Sequence, residues 1–152
     1  MPSVAERILA RGGAIELYTS HWRSPLLEGV DATIVSISRG QPRWRLPFKY
    51  RKLPALAPGD RSWNEEDQEA FERAYLDQLD ALGAETILAK LEQIGGGRPV
   101  VMLCWERPEP AAFCHRWTLA RFVEERTGTT VPELEHGMLA KKPTAQPVLF
   151  DD

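Results

Sequence analysis

Five residues in one short stretch carry side chains able to do chemistry: Cys104, Glu106, Cys114, His115 and Arg116. Glu106 offers a carboxylate that can serve as base, nucleophile or hydroxyl binder. His115 offers an imidazole as general acid, or simply a cap. Cys114, beside His115 and Arg116 at the start of a predicted helix, would have a lowered thiol pKa and a nucleophile's character. Arg116 can hold a phosphate or carboxylate through two parallel N–H bonds. Each residue also has a plain reading. Cys104 at a buried strand end is most simply a small hydrophobe. Glu106 is costly to bury unless paired, with Arg116 or Arg39 as the obvious partner.

The elements that must position this set follow from the surrounding pattern. Val100 to Leu103 is a short apolar run between Pro99 and a Pro-rich turn, which predicts a buried strand. Leu119, Phe122 and Val123 lie at i, i+3, i+4, one face of a helix. A strand, a loop and a helix make half of a βαβ unit, whose sites gather outside the carboxyl ends of parallel strands. Two earlier strands are predicted, Ala14 to Ser20 and Asp31 to Ser38. They are expected to form a parallel pair joined by an irregular crossover rather than a hairpin. Ser20, Ser38 and Arg39 stand at their ends, where hydroxyls and a guanidinium would meet a ligand or finish a turn.

The remaining chain reads as support. Ser3 to Glu6 fits a capping box for a short helix stopped at Gly12-Gly13, and Ser62 to Glu65 fits a second. Phe71, Tyr75, Leu79 and Leu82 form one helical stripe, Gly83 interrupts, and Ile87, Leu88, Leu91 and Ile94 form another. Such stripes are core. Gly128 suits a helix terminus, and Val131 to Leu134 a terminal strand. At 152 residues with a net charge of −3, the chain predicts one domain over 1–135 and a polar tail over 136–152, with no general attraction to nucleic acid or membranes. Two cysteines are no disulfide framework, so a reducing, cytoplasmic setting is expected. Their spacing fits neither a zinc pair nor C-x-x-C, and the three histidines are dispersed; no metal and no cofactor are expected. The oligomeric state is not legible.

One segment departs from the overall charge. Arg39 to Lys52 holds Arg39, Arg43, Arg45, Lys49, Arg51 and Lys52, with no acid, and interleaves Trp44, Phe48 and Tyr50. Its prolines exclude a continuous helix. Cations among aromatics suit a phosphate backbone with a stacked base. The alternative is an arm packed by its aromatics with its charges in water.

The same residues carry a family resemblance. Leu17-Tyr18-Thr19-Ser20, Ile37-Ser38-Arg39-Gly40 with Pro42-Arg43-Trp44, Leu56-Ala57-Pro58, the Phe71 to Tyr75 helix, Leu103-Cys104-Trp105-Glu106 and Phe113-Cys114-His115-Arg116 resemble the bacterial domain-of-unknown-function family four-eight-eight, which includes the YeaO-like proteins. The likeness spans roughly residues 14 to 135. It implies an α/β, Rossmann-like domain, with a mostly parallel sheet and helices on both faces. It implies that Ser20, Arg39, Cys104, Glu106, Cys114, His115 and Arg116 cluster at one sheet edge. It implies no reaction. The functional expectation is a small phosphorylated or nucleotide-like anion held at Glu106 and Cys114 to Arg116, the set a hydrolase or transferase would need. Two alternatives stay open: a nucleic-acid-binding module using Arg43, Trp44, Arg45, Lys49 and Arg51, and a thiol redox protein built on the two cysteines.

Overall fold

A computed structural model of the chain describes residues 15–64, 67–105 and 115–134. Four strands form one sheet in the order β1-β4-β2-β3, every neighbouring pair parallel. The strands are β1 (Leu17–His21), β2 (Thr33–Ser36), β3 (Arg51–Lys52) and β4 (Val100–Cys104). A parallel bridge from Thr19 to Glu133 extends the sheet beyond β1, as expected of the Val131 to Leu134 segment. Four α-helices complete the described chain: α1 (Asp60–Trp63), α2 (Gln68–Leu82), α3 (Ala84–Gly95) and α4 (His115–Thr127).

β4 lies between neighbours and is buried along its whole length, which explains its unbroken apolar run. Its side chains alternate between two cores. Val100 and Met102 join Leu17, Val35 and Ile37 beneath α2, α3 and α4. Val101 and Leu103 join Tyr18, Trp22 and Ile34 on the other face. Chain direction explains the division. The connections β1 to β2 and β2 to β3 advance toward the β3 edge, whereas those leaving β3 and β4 return. With one crossover hand, advancing and returning connections must cover opposite faces. The long helices cover the return face. The advancing face carries a 3-10 turn at Pro25–Leu27 and the arm after Arg39, whose Leu46, Phe48 and Tyr50 pack inward.

Three expectations are corrected in detail. β1 and β2 are parallel but do not pair, because β4 lies between them. β3 was not foreseen; two cationic residues carry no apolar alternation, and their strand exists because they hydrogen-bond to β2. The Ser62 capping box does not start the long helix. Ser62 sits inside the single-turn α1 and donates to the Gly59 carbonyl at 3.2 Å, while Asp67 caps α2 by accepting the Ala70 N–H at 2.9 Å. The other half of that box, Glu65, lies outside the described residues, as do the N-terminal helix and polar tail predicted from the sequence. Gly83 breaks α2 from α3 as expected, at a φ of 89°. Gly95 is required sterically: a Cβ there would lie 2.7 Å from Val100 Cγ2.

α2 also builds outward. The Tyr75 hydroxyl donates to the Leu56 carbonyl at 2.6 Å. The Gln78 amide donates to the carbonyls of Ala57 (2.7 Å) and Ala55 (3.2 Å) and accepts the Gly59 N–H (2.8 Å). These bonds satisfy the backbone of a loop that has no ladder of its own and fix the segment after β3 against the sheet.

Candidate anion-binding site

That segment forms one wall of a recess at the carboxyl ends of β2 and β3. About 320 Å³ in volume, it is lined by Ser36, Ser38, Arg39, Gln41 and Lys52, with Leu53, Pro54, Ala57 and Pro58 opposite. The strand ladders run right up to it. Ile37 N–H donates to the Leu103 carbonyl at 3.0 Å and Leu53 N–H to the Ser36 carbonyl at 3.0 Å. The location is a switch point. Connections leaving β2 and β3 diverge to opposite faces there, opening the crevice in which parallel sheets place ligands.

Hydrogen-bond accounting assigns the polar lining. The Ser38 hydroxyl donates to the Gly40 carbonyl at 2.7 Å and accepts from Trp22 Nε1 at 3.2 Å. Its proton is thereby used, so in the 3.1 Å Ser36–Ser38 pair Ser36 is the donor. Ser36 Oγ accepts from the Ser38 N–H and from Gln41 Nε2, which also donates to the Ser38 carbonyl. Ser38 and Gln41 thus hold the loop, and the Ser36 hydroxyl is the rotor able to turn toward a ligand. Arg39 spans the rim, donating to the Pro58 carbonyl at 3.0 Å and to Asp60 Oδ1 at 3.1 Å. Lys52 stands opposite Ser36 in register, is exposed, and makes no ion pair with any described residue. The indole of Trp105 donates to the Gly40 carbonyl at 2.9 Å and remains 40% exposed.

A second cluster lies at the end of β4 and is closed. Arg116 is wholly buried and grips Glu133 with two bonds, Nε to Oε1 at 3.0 Å and Nη2 to Oε2 at 2.8 Å. Its Nη1 lies 3.0 Å from Cys104 Sγ. Glu133 also accepts from Thr19 Oγ1 at 2.6 Å and Trp117 Nε1 at 3.1 Å. Burial raises the Glu133 pKa, but the bonds and charge of Arg116, with Thr19 and Trp117, outweigh it and hold the carboxyl below its ordinary value. Cys104 is disulfide-bonded. His115, at the start of α4, reaches Ile37 O at 2.7 Å through Nε2. A carbonyl only accepts, so Nε2 carries the proton. Burial pushes the His115 pKa down to about 4, assisted by the Arg116 charge and opposed by the bond to Ile37. The neutral ring stands edge-on to Tyr75, centroids 5.3 Å apart.

The residues singled out in the sequence therefore divide. Ser38 and Arg39 line the recess. Cys104, His115 and Arg116 meet in the closed cluster, where Arg116 holds a protein carboxylate and His115 ties α4 to the loop between Ser36 and Ser38. Ser20 is buried in β1 opposite Leu103, away from the recess lining. Glu106 and Cys114 lie outside the described residues. Arg43, Trp44, Arg45, Lys49 and Arg51 are exposed on the arm. Among the described residues no group of His, Cys, Asp and Glu could hold a metal ion, and no helix is long and apolar enough to cross a membrane.

Sequence reasoning missed Ser36, Gln41, Lys52 and Glu133. Ser36 was findable, since it is two residues from Ser38 and so shares its face. Glu133 also left a signal, a lone acid among Val131, Pro132 and Leu134 that burial would oblige to find a cation.

Comparison with curated proteins and with solved structures returned no match. A family model described as domain of unknown function DUF488 matches residues 38–123, more than half of the chain, running from the recess loop through the helices and β4 into α4. The chain, with Ser38 and Arg39 at one end of that span and Cys104, His115 and Arg116 within it, belongs to the DUF488 family.

Proposed function

We propose that the protein binds a small phosphorylated or nucleotide-like anion in the recess between the ends of β2 and β3. The observation that carries this reading is the lining itself. Two cations, Arg39 and Lys52, and a turnable hydroxyl, Ser36, surround a hollow of about 320 Å³ whose described walls include no acidic residue. An ammonium that meets no carboxylate among the described residues, at a parallel-sheet switch point, is poised for an anion. The recess lies one strand over from Arg116, which already holds Glu133; Glu106 and Cys114 of the site expected from the sequence lie outside the described residues. Anion binding, with no reaction assigned, is what the described lining supports. Titration calorimetry with inorganic phosphate and nucleoside monophosphates tests it. Lys52→Gln should weaken binding about tenfold, the worth of one charge-assisted hydrogen bond. Heat of binding that Lys52→Gln leaves unchanged, or none for any of these anions, refutes the reading.

A second reading rests on the disulfide at Cys104. In a cytoplasmic setting such a bond is transient and redox-active rather than structural. Reduction by a dithiol, itself oxidised to a disulfide, would deliver two electrons and two protons and leave two thiols. The guanidinium of Arg116 stands beside the Cys104 sulfur. The reading is supported by that 3.0 Å approach of Arg116 Nη1 to Cys104 Sγ. The other cysteine of the chain, Cys114, lies outside the described residues. A thiol count by mass spectrometry that stays fixed from reductant to oxidant rules this reading out.

A further inference from the structure

We infer that the arm from Arg43 to Arg51 is a binding surface for single-stranded nucleic acid. Burial alternates along it. Leu46, Phe48 and Tyr50 turn inward onto the sheet, while Arg45, Lys49 and Arg51 are exposed between them and Arg43 and Trp44 are exposed ahead of them. Phe48 and Tyr50 are fixed against the buried Trp22, Tyr50 edge-on at 4.9 Å. The backbone is thus anchored and the cations are presented outward from a fixed base, which reduces the ordering cost of binding.

The described residues leave these arm cations to solvent. Arg61, Arg73, Arg98 and Arg126 each face an aspartate or glutamate within 4.0 Å. Arg43, Arg45, Lys49 and Arg51 make no ion pair with any described residue, and no acid occurs between Arg39 and Lys52 in the sequence. In a chain of net charge −3 this concentrates positive potential on one strip. Beside it Trp44 is 40% exposed, with the Arg23 guanidinium 4.3 Å from its ring centroid and Trp105 edge-on at 5.7 Å. Cations that follow a phosphate chain, next to exposed rings that accept stacked bases, are the two components of sequence-tolerant single-strand binding. A duplex has its bases already stacked, and the arm presents neither a helix nor a two-stranded ribbon to a groove. An acidic peptide would use the charges and leave Trp44 without a role.

The inference does not depend on the recess, and either can fail alone. Its test is fluorescence anisotropy with a labelled 20-nucleotide single strand, a duplex of the same length, and vesicles rich in anionic lipid. If four phosphates are neutralised, the logarithm of single-strand affinity falls with slope about −2.8 against the logarithm of salt, so raising salt fourfold weakens binding about fifty-fold. The triple variant Arg43→Glu, Arg45→Glu, Lys49→Glu should abolish single-strand binding while keeping the wild-type melting temperature. Trp44→Ala should weaken it about tenfold, with the salt slope intact. The wild-type salt slope needs no variant and stands even if the triple variant folds poorly. Salt-independent binding, binding untouched by the triple variant, equal affinity for the duplex with no effect of Trp44→Ala, or binding to vesicles alone would each overturn the inference.

Discussion

Two polar clusters sit at the same end of one sheet, and they use charge in opposite ways. At the end of β4, Arg116 and Glu133 are out of water and satisfy one another. At the ends of β2 and β3, Lys52 stays in water and has no carboxylate to meet among the described residues. A buried cation must be matched when the chain folds, because desolvating it alone costs several kcal/mol. A cation on the wall of an open recess bears no such cost and can wait for a ligand. Proximity to a strand end therefore does not make a binding residue; what matters is whether its partner is already supplied by the chain.

Breaking the closed cluster should give the largest effect. Arg116→Met leaves Glu133 buried without its cation and should destabilise the fold by about 3–5 kcal/mol, read by urea denaturation. Arg116→Met with Glu133→Leu should recover most of the loss, since no charge is then stranded. If the double variant is as unstable as the single, the pair does more than neutralise itself.

Acid should strike the same cluster. The folded pKa of His115 is about 4, below its unfolded value near 6.5, so between these values the unfolded chain takes up a proton that the native ring refuses. Stability is full above pH 6.5 and falls toward pH 4, by on the order of 3 kcal/mol. The depressed Glu133 carboxyl adds stability present above its unfolded pKa and lost as pH falls through its lower folded one. His115→Gln should flatten the first of these two losses and leave the second, as denaturation midpoints against pH would reveal.

Much of this was legible in the sequence and some could not be. The apolar run at Val100, the stripe at Phe71, Tyr75 and Leu79, and the break at Gly83 each state their element through local period alone. β3 could not be read, because Arg51 and Lys52 are strand residues only by virtue of β2. Glu106, for which the sequence offers Arg116 or Arg39 as partner, lies outside the described residues, and the described partner of Arg116 was not legible. The residue that grips it, Glu133, is brought close by the terminal segment joining β1. Long-range pairing of that kind leaves no periodicity behind.

Smaller effects sharpen the contrast. Gly95→Ala pushes a methyl against Val100 and should cost about 1–3 kcal/mol without altering ligand affinity, measured by thermal melting beside calorimetry. Asp60→Asn removes an exposed partner of Arg39, one whose side chain is 89% accessible. It should change stability by less than about 0.5 kcal/mol, while any gain in phosphate affinity would mark Arg39 as a ligand contact released from its tether.

The brevity of β3 has a consequence of its own. A sheet margin offers unpaired amides and carbonyls to any other chain, and here that margin is only two residues long, both of them cations. A second copy approaching edge to edge would bring Arg51 and Lys52 against their own likenesses and be repelled. The charges that would attract a phosphate therefore also keep the molecule from zipping onto itself, and concentrated Lys52→Gln protein is where loss of that protection would first be seen, as light scattering.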